Sequence, residues 1–230
     1  NLDGLEEVVL FQHNVETMIW ERHRDHASNP LSRLYFGLQA QRMQVYEGQV
    51  CRAAAGVVAV SEADAAALRE RFGVSRVTAV PTGVDLEYFH PPAAVSAAAD
   101  LVFLGSMDWM ANIEGVEYFV REVLPLIRRE KPDCTLAVVG RDPVPSIREL
   151  ARRDPLIQVT GTVPDVRPYL WGARVSIVPL RVGGGTRLKI YESMAARVPV
   201  VSTSVGAEGL EVHPPEDIRI ADGAESFAEA

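Results

Sequence analysis

The sequence of 230 residues predicts an α/β fold built on parallel sheets, and three observations carry that prediction. Short β-branched, apolar runs alternate with amphipathic stretches along most of the chain, the strand, helix, strand pattern of a parallel sheet. The stretch from His90 to Asp100, HPPAAVSAAAD, is poor in large apolar residues and divides that alternation in two. A glycine triplet, Gly183 to Gly185, stands between an apolar run at Val175 to Pro179 and a helical stretch through Glu192.

Val8 to Gln12 (VVLFQ) reads as a buried strand that delivers His13, Asn14 and Glu16 to its carboxyl end, the edge where open α/β sheets bind ligands. A helical region follows from Leu31 to Ala54. Its stripe of Leu31, Leu34, Tyr35, Leu38, Met43, Val45 and Val50 is expected to pack on the core. A strand over Gly56 to Val60 leads through Ser61 into a helix from Glu62 to Phe72, ended by Gly73. A strand from Arg76 to Val80 then closes in the turn PTGVD. The domains expected are residues 1–90, a linker at 91–98, and residues 99–230. Because Asn1 stands where a Met is usual and a strand-like run follows at once, the first domain is expected to be incomplete and the chain to be cut from a longer polypeptide.

The second part opens with a strand at Leu101 to Leu104, with Gly105 at its end. A helix starts at Asn112, with Glu114 in its first turn, and runs through Arg129 on a buried stripe of Val116, Phe119, Val120, Val123 and Ile127. Two more units follow, Thr135 to Gly140 with a helix at Ser146 to Arg153, and Ile157 to Gly161 with a short helix at Val166 to Gly172. The glycine-triplet unit is the fourth, and Pro199 to Ser202 is a fifth strand.

The glycine triplet is where the chemistry concentrates. A loop of glycines lets a ligand approach the backbone, and the helix beyond it, with Thr186 at the N-cap position, aims unpaired N–H groups and partial positive charge at the same point. Arg181, Arg187 and Lys189 add full charge, and Lys189 and Glu192, three residues apart, share one helix face. Phosphates would take the cations and ribose hydroxyls would donate to Glu192, which suits a nucleotide. Taken alone, the triplet reads better as a plain strand-to-helix turn with solvated charges; the surrounding chain favours the nucleotide.

Composition narrows the alternatives. A formal charge of −8 and a pI near 5.2 argue against nucleic acid as a partner. Cys51 and Cys134 lack metal-ligand spacing and read as buried free thiols of a reducing compartment. No metal-ligand cluster is visible, no run approaches the roughly eighteen apolar residues of a membrane span, and no secretion signal is seen. A dinucleotide-dependent oxidoreductase is disfavoured, since no strand is followed by G-x-G-x-x-G with an acidic residue about twenty positions on. A noncatalytic nucleotide-binding module stays open. His23, His26, His90 and His213 read as surface residues.

The segments FQHNVE, VVAVSEAD, AVPTGVDLEYF, LVFLGSMDW, LAVVG, VTGTVPDV and VPLRVGGGTRLKIYESMAARVPVVSTSVGAEGL, in this order and spacing, resemble the retaining GT-B glycosyltransferases of the large family 4 type. The GGGTRLK form and GSMDW with a following Asn look most like bacterial sugar transferases of exopolysaccharide clusters. The resemblance implies two Rossmann-like domains facing a cleft, the donor held mainly by the second, with the chain ending before the family's closing C-terminal helices. It implies transfer of a sugar from a nucleotide-diphosphate donor to a glycan or lipid-linked acceptor, with retention, no metal and no separate cofactor. The location implied is cytoplasmic, with peripheral association at the inner face of the membrane left open. A nucleotide-sugar epimerase of GT-B architecture is the nearest alternative. By the same resemblance His13 lines the cleft near the donor sugar, Glu192 takes the ribose, and Gly105 and the loop with Gly161, Val163 and Asp165 contact the nucleotide, although Pro164 and Asp165 suit a plain turn almost as well. The family's paired glutamates would fall at positions 184 and 192, and the first is replaced by Gly184. Positions of a family arginine and lysine are held by Ser106 and Asn112, so Arg181, Arg187 and Lys189 are the expected substitutes at the diphosphate.

Overall fold

A computed structural model describes residues 4–27, 29–183 and 186–230, which form two compact units. The first holds Asn1–Thr82, Val182–Thr186 and Glu208–Glu211; the second holds Gly83–Arg181, Arg187–Ala207 and Val212–Ala230.

The first unit carries a parallel sheet in the order β1 (Val9–Gln12), β2 (Gly56–Ala59), β3 (Val77–Ala79), with Val9 opposite Gly56 and Val57 opposite Val77. Its helices are α1 (Glu16–His26), α2 (Pro30–Ala53) and α3 (Glu62–Phe72). Asn29 caps α2 by accepting from Ser32 N at 2.7 Å, with Pro30 at the first helical position, where its missing N–H costs nothing. Ser61 caps α3 through Asp64 N at 3.0 Å, and Gly73, at φ 66°, ends it. Val57, Ala59, Leu68, Phe72, Val74 and Val77 form the core between sheet and helices.

Two expectations for this unit are corrected. β1 is half open rather than buried, with Val9 and Phe11 exposed, because it is an edge strand whose single neighbour is β2. The apolar stripe of α2 does not pack either: Leu31, Leu34, Tyr35, Leu38 and Val45 are all exposed, Leu31 at 80%. The residues α2 buries are Ala40, Glu47, Gly48 and Cys51. At Gly48 a Cβ would come 3.0 Å from both the Phe72 ring and Arg52 Nη1, a tight contact that glycine avoids. The sequence reading also missed α1, whose first residue, preceded by Val15, has no cap from its own neighbours. Glu47 supplies one from a distance. Its Oε1 accepts from Glu16 N (2.8 Å) and Gln12 Nε2 (2.7 Å), and its Oε2 from Thr17 N (2.9 Å) and Thr17 Oγ1 (2.6 Å). A carboxylate on the first N–H groups of a helix also complements its dipole.

The second unit has six strands: β4 (Ala99–Leu104), β5 (Leu136–Val139), β6 (Ile157–Val159), β7 (Ala173–Val178), β8 (Val200–Ser202) and β9 (Arg219–Ile220). Their order is β6-β5-β4-β7-β8-β9 and every pairing is parallel. From β4 the chain winds outward through β5 and β6, then returns to β7 on the opposite side, so the direction of winding reverses between β4 and β7. Such a reversal opens a crevice at the carboxyl ends of the two strands. Helices are α4 (Leu86–Phe89), α5 (Met110–Tyr118), α6 (Leu124–Glu130), α7 (Pro145–Arg153), α8 (Arg167–Trp171), α9 (Leu188–Ala195) and α10 (Ala224–Glu229). The single helix expected over 112–129 is broken by a π turn at Phe119–Val123, just before Pro125, which has no N–H to continue the helical ladder. Val102, Phe103, Leu136, Ala137, Val138, Val139, Ile177 and Val178 are buried, as strands covered on both faces require.

Residues 83–98 pack with the second unit. Phe89 is buried in its core, the Trp171 indole donates to Phe89 O at 2.8 Å, and Ala98 N donates to Gly172 O at 2.8 Å. Among the described residues no helix is long and apolar enough to cross a membrane.

Candidate functional site

At the carboxyl ends of β4 and β7 the second unit gathers Phe103, Gly105, Asn112, Lys189 and Glu192. Lys189 lies in the first turn of α9, and its Nζ donates to Asn112 Oδ1 at 3.0 Å while standing 4.4 Å from the centre of the Phe103 ring. Asn112 Nδ2 donates to Ser106 O at 2.9 Å, which turns Oδ1 toward the ammonium. Gly105 makes room for both: a Cβ there would lie 2.7 Å from Asn112 Nδ2 and 2.9 Å from Lys189 Nζ. Gly140, at the end of β5, is crowded by backbone instead, since its Cβ would fall 1.7 Å from Gly105 O.

The electrostatics follow from this packing. Burial, reinforced by the charge of Arg187 and opposed by Glu192, brings the Lys189 ammonium down to about 7. Burial also raises the Glu192 carboxyl, with Lys189 holding it back.

Other residues expected at the site have different surroundings. Arg181 Nε donates to Glu114 Oε1 at 2.9 Å, and its guanidinium lies 4.1 Å over the Tyr118 ring. Arg187, rather than Thr186, occupies the N-cap position of α9 and gives no side-chain cap, because an arginine has no acceptor; this corrects the expected Thr186 cap. The Thr186 hydroxyl instead donates to Val60 O at 3.4 Å within the first unit. Gly183, at φ 143°, accepts from Arg22 in that same unit, and Arg22 pairs with Glu208 at 2.6 Å. Gly184 and Gly185 lie outside the described residues. His13, also in the first unit, is exposed beyond β1 with its ring 4.9 Å from that of Phe11.

Gly161, Val163 and Asp165 follow β6, two strands along the sheet from β4. Gly161, at φ 70°, lines an open recess of about 390 Å³ with Asp142, Pro143 and Arg148. Val163 packs on the core, and Asp165 accepts from Arg167 N at 2.9 Å and grips the Arg167 guanidinium.

Two residues were not singled out by the sequence for the site. Asn112 reads there only as a helix start and as a replaced lysine. Arg141 does not stand out at all, yet its Nε donates to Ser106 Oγ at 2.8 Å, so a cation from the end of β5 stands beside the serine. Cys51 and Cys134 are buried free thiols, and burial pushes Cys51 up to about 11, which disfavours its thiolate.

A doubly wound sheet with a glycine-lined, cationic crevice at its point of reversal places the second unit among the Rossmann-like α/β folds. The "Glycosyl transferases group 1" family model matches residues 98–230 and the "Glycosyltransferase Family 4" model residues 8–88, and the chain belongs to the group 1 glycosyltransferases. It is 28% identical over 193 residues to the lipopolysaccharide core biosynthesis mannosyltransferase LpcC of Rhizobium leguminosarum bv. viciae, covering 77% of this chain and 53% of that protein. It is 26% identical over 136 residues to an uncharacterized 44.6 kDa protein in the cps region of Klebsiella pneumoniae, covering 56% and 35%. The chain thus spans about a third to a half of these relatives. Among solved structures, sucrose-phosphate synthase of Thermosynechococcus elongatus superposes with a TM-score of 0.71 at 21% identity, covering 96% of this chain and 57% of that one. HepE of Anabaena, in complex with UDP and glucose, gives 0.70 at 14%, covering 96% and 59%. These likenesses show the fold, GT-B with parallel-sheet units.

Proposed function

We propose that the chain is the donor-binding part of a glycosyltransferase that moves a sugar from a nucleotide-diphosphate donor to a glycan or lipid-linked acceptor, with retention and without a metal. The observation that carries this is the cluster of Gly105, Asn112, Lys189 and Glu192 at the reversal point of the second sheet. There Glu192 takes the ribose hydroxyls, and Lys189 with Arg187 takes the diphosphate. The activities named for the relatives, mannosyl transfer and sucrose-phosphate synthesis, support the reaction class.

As the nucleoside diphosphate leaves the anomeric carbon, the sugar becomes oxocarbenium-like and negative charge gathers on the departing phosphate. Cations and N–H donors already placed there favour that state over the ground state. With Lys189 and Arg187 in this role, no divalent ion is called for. His13 is assigned to the donor sugar, and residues 1–90, of which 83–90 pack with the second unit, to the acceptor-side domain, joined through 91–98 to a donor domain at 99–230. The deciding assay follows nucleotide-sugar turnover by this chain and by a full-length relative carrying the same motifs, with and without chelator. Transfer to an acceptor supports the reading. Release of epimer alone, or transfer that stops with chelator, overturns it.

A further inference from the structure

Lys189 reaches its place at the end of β4 from another element, α9, and what holds it there is a neutral side chain. Asn112 is 8% exposed and has both ends of its amide committed, Nδ2 to Ser106 O and Oδ1 to Lys189 Nζ. Beside it is Gly105, where a Cβ would stand 2.9 Å from the ammonium in this position. From β4 below, the ring of Phe103 faces the same charge.

None of these three neighbours carries a counter-charge. The ionised groups that face Lys189 are Arg187, which repels it, and Glu192, which attracts it, both on its own segment. The carboxylate of α5, Glu114, is engaged by Arg181. A carboxylate at position 112 would pair with the ammonium outright; an amide orients it and adds no counter-charge of its own.

We infer that Asn112 is the positioning residue for Lys189, and that its neutrality couples diphosphate binding to uptake of one proton by Lys189. This rests on the assignment of Lys189 to the diphosphate. The proton balance is simple: above neutral pH the free site holds a fraction of Lys189 as the amine, the bound diphosphate stabilises the ammonium, and the difference is drawn from solvent. The sign follows. Binding raises the Lys189 pKa above that of the free site, so the gain in affinity is full below about pH 7 and is lost as pH rises through the pKa of the complex. Affinity then falls about tenfold between pH 7 and pH 8.5.

The test is calorimetry on this chain with UDP, GDP and ADP, using whichever binds tightest, in two buffers of different ionisation enthalpy, across that pH range. Wild type is expected to take up a proton at the alkaline end. Asn112→Asp keeps the size and the bond to Lys189 but adds a carboxylate, so it should bind more weakly and take up no proton. Asn112→Leu should lose affinity by about tenfold, the loss expected when a buried charged group is deprived of its hydrogen bond. Thermal denaturation checks that both variants fold, and if one does not, the other decides. Unchanged proton uptake in folded Asn112→Asp, or unchanged affinity in folded Asn112→Leu, overturns the inference, as does binding by wild type without proton uptake. If Lys189→Met binds as wild type does, or no nucleotide binds wild type, the donor-site assignment itself fails. If Lys189→Met loses affinity while both Asn112 variants behave as wild type, only the role of Asn112 fails.

Discussion

Arg181 Nε donates to Glu114 Oε1 at 2.9 Å, joining the segment after β7 to α5 through a cation already matched by a carboxylate and lying on the Tyr118 ring. Its partner side chains are only about a third exposed. The sequence assigns Arg181 to the phosphates; its pairing with Glu114 points to a bracing role at the crevice, and the two roles can be told apart. Arg181→Ala is expected to destabilise by about 1–2 kcal/mol, the scale of a charged hydrogen bond discounted for partial exposure, and to change nucleotide affinity by about twofold or less. Thermal denaturation alongside calorimetry separates the two effects. A tenfold loss of affinity with unchanged stability would return Arg181 to the phosphates.

In the first unit, Glu47 gathers the opening N–H groups of α1 onto one carboxylate buried to 4% exposure. Glu47→Ala leaves those donors and the Thr17 hydroxyl unsatisfied, at an expected cost of about 2–3 kcal/mol. Amide hydrogen exchange is the direct readout. Glu16 and Thr17 should lose protection while β2 keeps it, and unchanged exchange at both would show that the cap is idle.

Asp100 ties β4 to β5. Burial disfavours its ionised form, but hydrogen bonds from Thr135 N and Oγ1, each 2.9 Å, and the charge of Lys131 prevail and lower its pKa. A depressed carboxylate contributes stability above its unfolded pKa of about 4, and that contribution is lost as pH falls through the folded value. Asp100→Asn should thus lower the unfolding midpoint at neutral pH and flatten the acid limb of the stability profile. Parallel acid limbs for variant and wild type would contradict this.

Much of the second sheet was legible in the sequence because strands buried on both faces announce themselves as continuous apolar runs, Leu101 to Leu104 and Val175 to Pro179 among them. Capped helices were legible for the same local reason; α3 begins after Ser61 and ends at Gly73 as expected. What failed depends on partners far along the chain. α1 was missed because its cap is Glu47, thirty-one residues beyond Glu16. The outward turn of the α2 stripe was missed because apolar spacing does not say which face a neighbour covers. At the site, Lys189 and Glu192 were legible as one helix face. Asn112 was not, because its significance is a hydrogen bond to a residue 77 positions away.

Glu192, one turn beyond Lys189, is half-buried with its carboxyl raised by burial. If it accepts the ribose hydroxyls, Glu192→Ala should weaken nucleotide binding about ten- to a hundredfold, the equivalent of one or two charge-assisted hydrogen bonds. The corresponding deoxynucleotides should discriminate less between variant and wild type. Equal losses with ribose and deoxyribose ligands would move Glu192 away from the sugar.

Gly105 and Gly140 pose the sharpest contrast, since both are crowded and for different reasons. A Cβ at position 140 would sit 1.7 Å from Gly105 O, a backbone atom fixed by the pairing of β4 with β5. Nothing there can yield without separating two central strands. Gly140→Ala is expected to cost about 3 kcal/mol or more, the upper end for an overpacked core position. A Cβ at position 105 meets the ends of two side chains instead, Asn112 Nδ2 at 2.7 Å and Lys189 Nζ at 2.9 Å. Those ends can swing aside, so Gly105→Ala should keep its unfolding midpoint within a few degrees, the shift of under about 1 kcal/mol in a unit of this size. It should nevertheless lose about tenfold in nucleotide affinity, because the displaced ammonium no longer meets the diphosphate at hydrogen-bond distance. Measured together by scanning calorimetry and nucleotide titration, the two alanines assign one glycine to the sheet and the other to the site. Comparable destabilisation by both, with affinity preserved in Gly105→Ala, would mean that the space beside β4 serves only packing.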